Sequence, residues 1–375
     1  MISAIEQRLC FELEARKAKG LHRVLRTQSD RLIDFCSNDY LGVVHDRLID
    51  APEGRSLASG ATGSRLISGN SILAEEAEHM LASFYRAPSA LLFNSGYDAN
   101  LGFFSSIPRR GDTIVYDELC HASIRDGIRL SFAKSYSFAH NDLAALRAKL
   151  DRIQGQVFIA VESVYSMDGD QAPLVELIEV CRRSGAALVV DEAHASGIFG
   201  EGGCGLVGAL GLETEVFGRV HTFGKAFGCH GAVVVSSAAV REYLINFARS
   251  FIYTTALPPQ AIASIMCAHT LKPQLEERRR NLQRNIELFL DNARTEGLDL
   301  RLIPSTTQIQ SLLVGGNMQA KKLASALVAS GFDVRPILSP TVPKGAERLR
   351  LCLHSFNSAD EIGGLVKAIT EVDHA

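Results

Sequence analysis

The chain has 375 residues, 46% of them hydrophobic and 22% charged, which excludes disorder, collagen and coiled coil as a description of the whole. Thirty-nine basic residues against 42 acidic ones leave a net charge of −3, without the basic excess that sequence-independent nucleic-acid binding needs. The eight cysteines are scattered, with no CxxC and no zinc-like Cys/His spacing, so reduced thiols in a cytoplasmic protein without a metal site are expected.

In chain order, Ile5, Leu9, Leu13, Leu21 and Leu25 keep helical spacing over residues 1–26. This predicts a helical arm, taken here as residues 1–45, and the segment has no signal-peptide core. Short apolar runs then alternate with turns and helical segments: Ala90–Phe93, Thr113–Tyr116, Val157–Val161, Ala187–Val190, Val220–Phe223 and Ala232–Val235. That pattern predicts an α/β fold, a mostly parallel sheet flanked by helices, in a large domain over residues 46–245. A charged helical stretch over Glu276–Asp291 and apolar segments at 309–314 and 348–353 predict a smaller C-terminal α+β domain over residues 246–375. The Arg278-Arg279-Arg280 run reads as a solvated helix face. The longest nearly apolar stretch, Gly231–Val240, contains two serines and is too short for a bilayer.

Ligands of open α/β sheets sit at the carboxyl ends of the strands, so the residues after each run matter most. They are Asn94-Ser95-Gly96-Tyr97, Asp117 to His121, Glu162-Ser163 with Ser166 to Asp170, Asp191 to His194, and Thr222 to Lys225. Taken singly, such residues cap helices or decorate loops. Taken together, in this order, they match the demands of pyridoxal phosphate: a lysine for its aldehyde, an acid for its ring nitrogen, a flat group for its ring face and a glycine turn opening a helix for its phosphate. Lys225 fits the first role, Asp191 the second, and Gly96-Tyr97 the last; His194 fits a partner for the phenolic oxygen. FGKAFG lacks the Ser/Thr and glycine spacing of a P-loop, and no GxSxG elbow is present.

The sequence resembles the α-oxoamine synthases, fold-type-I pyridoxal-phosphate enzymes that condense an amino acid with an acyl thioester and release carbon dioxide. The resemblance runs from Phe35 to Asn357. It rests on FCSNDYLG (35–42), GSRLISGN (63–70), NSGYDAN (94–100), DELCHASI (117–124), ESVYSMDGDQAPL (162–174), VVDEAHASGIFGEGG (189–203), HTFGKAFG (221–228), IYTTALPP (252–259) and SPTVPKGAERLRLCL (339–353). It implies a seven-stranded sheet, with Lys225 bound to the cofactor and acting as acid and base, and His121 stacked on the ring. It further implies Asp191 at the ring nitrogen, His194 and Ser166 at the phenolic oxygen, and Asn38 near the substrate. The Gly96-Tyr97 backbone, Thr222 and a partner subunit's Thr254 or Thr255 would hold the phosphate in a homodimer with shared active sites.

Among family reactions, that of L-alanine with a pimeloyl thioester, on coenzyme A or acyl carrier protein, fits the chain's compact length. Sister synthases using glycine or serine, and a non-catalytic cofactor-binding module, stand as alternatives. One departure concerns the substrate carboxylate: members on the biotin pathway commonly carry arginine where this chain has Leu338. Arg335, Arg350 and Arg65 are the replacements the sequence offers.

Overall fold

A computed structural model describes residues 3–25, 27, 31–49 and 57–373. Its centre is a seven-stranded sheet whose strands we number in chain order: β1 (Ser89–Phe93), β2 (Thr113–Asp117), β3 (Lys134–Phe138), β4 (Val157–Glu162), β5 (Ala187–Asp191), β6 (Gly218–Thr222) and β7 (Ala232–Ser236). They lie in the order β1-β7-β6-β5-β4-β2-β3. β7 runs antiparallel to both its neighbours, and every other pairing is parallel.

Alternate residues of one strand point to opposite faces, and here the two sets enter two separate cores. Leu92, Val115, Ile159, Val190 and Val233 join the larger cluster, whereas Leu91, Ile114, Phe158, Val189 and Val234 join the other. Helices cover both faces, so the inner strands need apolar residues at every position, and this made them readable as continuous runs. β3, of sequence KSYSF, is the exception. It is an edge strand exposed at four of its five positions and carries no apolar run.

A three-stranded antiparallel sheet follows: β8 (Ile309–Leu313), β9 (Arg335–Ile337) and β10 (Arg348–Cys352), in the order β9-β10-β8. The N-terminal segment leans on it. Ile33-Asp34 pairs in parallel with Phe332-Asp333, Cys352 N donates to Phe35 O at 2.9 Å, and Ser355 N donates to Tyr40 O at 2.9 Å. These bonds fix residues 35–40 beside the carboxyl edge of the large sheet.

Two expectations are corrected. The N-terminal helix spans only Ala4–Ala18: Gly20 takes φ +65 just after it, and Leu21–Leu25 are not helical despite their spacing. Residues 1, 2, 26 and 28–30 of the expected arm lie outside the described residues. The triple-arginine run, on the helix Lys272–Thr295, is not simply solvated. Arg278 donates to Leu41 O at 2.8 Å and to Asp46 Oδ2 at 2.5 Å, and the buried Arg279 donates to Gly197 O at 3.1 Å.

Candidate active site

β1 ends in Asn94-Ser95, and the chain turns into the helix Gly96–Ser106. Ser95 Oγ accepts from Asp98 N at 3.1 Å and caps it. The amides of Gly96 and Tyr97, in the first helical turn, have no intrahelical acceptor. Gly96 must be glycine because a Cβ there would lie 2.4 Å from Thr222 Cγ2, at the tip of β6. The two strand tips thus close on each other around a cradle of backbone donors.

Asp191 ends β5. Its Oδ2 accepts from Asn100 Nδ2 at 2.6 Å and its Oδ1 from Ala193 N at 2.9 Å, so the carboxylate is oriented from both sides. Asn100 Nδ2 also donates to Ser123 Oγ at 3.0 Å. That hydroxyl lies 2.8 Å from His121 Nδ1, at the start of the helix Ala122–Leu130. One network therefore couples His121 to Asp191. His194 Nδ1 lies 2.8 Å from Tyr40 Oη, which donates to Asn38 Oδ1 at 2.9 Å.

Lys225 follows β6 between the buried Phe223 and Phe227. Its carbonyl accepts from Gly228 N at 2.8 Å, but its Nζ amine makes no hydrogen bond or ion pair among the described residues. Burial lowers its pKa to about 8, against the pull of Asp191 and Glu162. Burial, then the positive charges of Lys225 and Arg350, push His194 well below its ordinary value. His121 is lowered too, by burial above all. The site thus keeps both histidines neutral near pH 7 and lets the lysine lose its proton well below its ordinary range.

Lys225, Asp191, His194, His121 and Thr222 line one cavity of about 260 Å³, together with Gly96, Tyr97 and Asn38. Sequence reasoning gave no role to four further residues on its wall: Asn100, Ser123, His230 and Glu162. Asn100 sits among phenylalanines in mid-helix, where nothing local marks it. Glu162 did carry a signal, as a charged residue ending an apolar run.

The other expected residues lie around this cavity. Ser166 is half-buried behind it, and its carbonyl accepts from Arg350 Nε at 2.6 Å. Arg350 is 9% exposed and donates to Asn38 Oδ1 at 3.0 Å and Tyr40 Oη at 3.2 Å. Arg335 points elsewhere, ion-paired with Asp333 at 2.8 Å. Arg65 is ion-paired with the buried Glu78 at 2.7 Å. Thr254 Oγ1 and Thr255 O both accept from Asn94 Nδ2 at 2.9 Å, outside the cavity of their own chain. Leu338 lines a second hollow of about 230 Å³, with Arg16 and Arg23 opposite. Among the described residues, no cluster of three or more His, Cys, Asp or Glu could hold a metal ion.

The donor set fits pyridoxal phosphate: an unpaired lysine, a clamped carboxylate and free helix-start amides share one cavity. Comparison with known proteins agrees. The chain belongs to the aminotransferase class I and II family, whose description matches residues 30–369. Within it, the chain is 45% identical to an 8-amino-7-oxononanoate synthase of Emericella nidulans, over 95% of this chain and 93% of that one. It is 40% identical to the synthase of the same name from Marinobacter nauticus, over 96% and 95%. Two solved structures are similar. Serine palmitoyltransferase from S. paucimobilis, with PLP and myriocin bound, superposes with a TM-score of 0.89 at 27% identity, covering 100% of this chain and 99% of the other. 8-Amino-7-oxononanoate synthase from Francisella tularensis gives 0.76 at 32%, covering 92% and 99%. The α-oxoamine synthase resemblance and the fold-type-I architecture are thereby established.

Proposed function

We propose that this protein condenses L-alanine with a pimeloyl thioester, on coenzyme A or acyl carrier protein, to give 8-amino-7-oxononanoate, carbon dioxide and free thiol for biotin synthesis. The protein is an enzyme of acyltransferase type, and pyridoxal phosphate is its cofactor. The observation that carries the reading is the unpaired amine of Lys225 in one cavity with Asp191, His194 and His121. The choice of substrates follows the names of the relatives.

Lys225 would hold the cofactor's aldehyde carbon, Asp191 its ring nitrogen, and His194 with Ser166 its phenolic oxygen. His121 would cover the ring face. Gly96, Tyr97 and Thr222 would hold the phosphate, completed by Thr254 or Thr255 of a second copy in a homodimer. When bound, pyridoxal phosphate supplies the electron sink for a carbanion at the amino acid's Cα.

The chain's own residues do the rest. Lys225, neutral above about pH 8, takes the proton from Cα as general base. Asn100 and the Ala193 amide both donate to Asp191 and fix the orientation of its carboxyl group. Arg350, through its contact with Asn38 on the cavity wall, is the arginine placed to meet the amino acid's carboxylate.

The test is product mass, with L-alanine, glycine or serine each paired with pimeloyl, acetyl and long-chain thioesters. Product from alanine and the pimeloyl thioester alone supports the reading. A second reading, a serine-using sister synthase, is favoured by the fit to serine palmitoyltransferase, and product from serine with a long-chain thioester would select it. Light scattering tests the dimer, and cell fractionation tests the cytoplasmic location. Among the described residues, no helix is long and apolar enough to cross a membrane.

A further inference from the structure

Tyr40 has no role in the mechanism above, yet three parts of the chain meet at its hydroxyl. Its oxygen lies 2.8 Å from His194 Nδ1, in the turn after β5, and 2.9 Å from Asn38 Oδ1 on its own segment. Arg350 Nη2, from β10, donates to Tyr40 Oη at 3.2 Å and to Asn38 Oδ1 at 3.0 Å. The Tyr40 ring is fully buried. The backbone is tied down on both sides: Ser355 N donates to Tyr40 O at 2.9 Å, and Gln308 Nε2 donates to His194 O at 2.8 Å. The hydroxyl thus links the arginine placed for the amino acid's carboxylate to the histidine placed for the cofactor's phenolic oxygen.

Hydrogen counting sets what this link can do. A phenol has one proton, and two acceptors stand within its reach. Burial above all holds that proton on Tyr40. Burial, then Lys225 and Arg350, keep the His194 imidazole neutral, so it carries a single N–H. Tyr40 therefore decides which ring nitrogen bears it. His194 lines the cavity of Lys225, and its Nε2 makes no hydrogen bond among the described residues. If Tyr40 donates to Nδ1, Nε2 presents an N–H; if it donates to Asn38, Nδ1 takes the proton and Nε2 is bare. Only the first arrangement can donate to a phenolic oxygen. Arg350 completes it, because it gives Asn38 Oδ1 a donor of its own and, by donating to Tyr40 Oη, polarises the O–H outward.

We propose that Tyr40 is a positioning residue of this site: in the cofactor-loaded protein its hydroxyl donates to His194 Nδ1, fixes Nε2 as the donor to the phenolic oxygen, and couples that contact to Arg350. This rests on the roles given above to His194 and Arg350 and deepens them. The carboxylate arginine and the phenolic oxygen then answer to each other through one chain of hydrogen bonds, apart from any attraction between their charges.

The experiment reads the tautomer directly, by nitrogen NMR of the cofactor-loaded protein carrying isotope-labelled histidine. The His194 signals are identified by their loss in His194→Gln. A protonated Nε2 and a bare Nδ1 are expected; a protonated Nδ1 overturns the proposal. Tyr40→Phe keeps the buried ring and removes only the hydroxyl, and it is read by pH titration of the cofactor's visible band. A donor on the phenolic oxygen weakens that oxygen's hold on the proton it shares with the Lys225 nitrogen. Losing the donor should therefore raise the midpoint by about one pH unit, and an unmoved midpoint overturns the proposal. Arg350→Lys keeps the charge but not the fork of donors. It should move the same midpoint in the wild-type background and add nothing to Tyr40→Phe; additive shifts overturn the link to Arg350. Should Tyr40→Phe fail to fold, the wild-type tautomer decides. Borohydride separates the two claims: cofactor fixed on Lys225 beside a protonated Nδ1 defeats this proposal alone, whereas no fixed cofactor removes the reading on which it rests.

Discussion

At the tip of β2, His140 lies between two carboxylates: its Nδ1 is 3.0 Å from Asp117 and its Nε2 2.7 Å from Asp170. At the tips of β4, β5 and β6, Glu162, Asp191 and Lys225 share a cavity in which the lysine has no partner. Both are acid–base clusters on one edge of one sheet, and both are largely buried. Burial alone would lower His140, but its hydrogen bonds to Asp117 and Asp170 outweigh it and raise the imidazole to about 10. Burial lowers Lys225 to about 8 because nothing offsets it fully. In the first cluster the imidazole bridges both carboxylates and works as a clamp. The second is left unanswered, and that deficit is the chemical capacity of the site.

The largest effect that would break this contrast comes from Lys225→Ala. Product formation should fall by about 10³-fold or more, with no cofactor retained after borohydride treatment and dialysis. Near-normal turnover in that variant would remove Lys225 from the mechanism. In the wild-type protein the reactive form is the neutral amine, so kcat/KM should rise with pH through about 8, not through the 10.5 of an ordinary lysine.

His140→Gln probes the other cluster. Leaving two buried carboxylates without their cation should cost about 3 kcal/mol in unfolding free energy near pH 7. The sign with pH follows from the raised value: the imidazolium's contribution is full below 6.5 and is lost as pH rises through about 10. Denaturant unfolding of wild type and variant should therefore converge toward pH 10. Asp117 also shapes the turn to His121, through Leu119 N at 2.8 Å, and Asp170 O accepts from Tyr165 N at 3.0 Å near Ser166. Part of the cost should thus appear as weaker cofactor binding.

Gly96→Ala is a smaller intrusion at the cradle. The new Cβ would meet Thr222 Cγ2 at 2.4 Å, and overpacking of one methyl costs about 1–2 kcal/mol. Cofactor affinity should drop about tenfold, as read by fluorescence titration of the cofactor-free protein. Thr222→Ser removes the clashing methyl and keeps the hydroxyl, so the double variant should recover most of the loss. A double variant no better than Gly96→Ala would place the strain elsewhere.

What the sequence made legible follows the same division. Inner strands, apolar at every position, announce themselves, and polar residues end them, which is why Lys225, Asp191 and His194 could be singled out from order and His121 through the family resemblance. β3 was invisible because its exposed edge needs no apolar residue. Helical spacing overran Ala18 because spacing does not register the turn at Gly20. Asn100 could not be found because its partner, Asp191, lies 91 residues away, and only the folded chain brings them together. The clamp at His140 has the same origin, with partners 23 and 30 residues distant on two other loops.

The arginines give the smallest expected effect and the sharpest use of the contrast. Three were candidates for the substrate carboxylate where Leu338 leaves no cation. Arg65 is committed to the buried Glu78, and its loss would be confounded by misfolding. Arg335 is 36% exposed and committed to the buried Asp333, outside the cavity of Lys225. Arg335→Ala should therefore change KM for the amino acid by less than about threefold and leave kcat alone. Arg350→Lys keeps the charge but cannot reach Asn38, Tyr40 and the Ser166 carbonyl at once, because one ammonium cannot reproduce a planar fork of donors. Its KM should rise well over tenfold. The reverse ranking would mean that the amino acid binds at the edge of β9, and that the contact of Arg350 with Asn38 serves only to hold His194 in place through Tyr40.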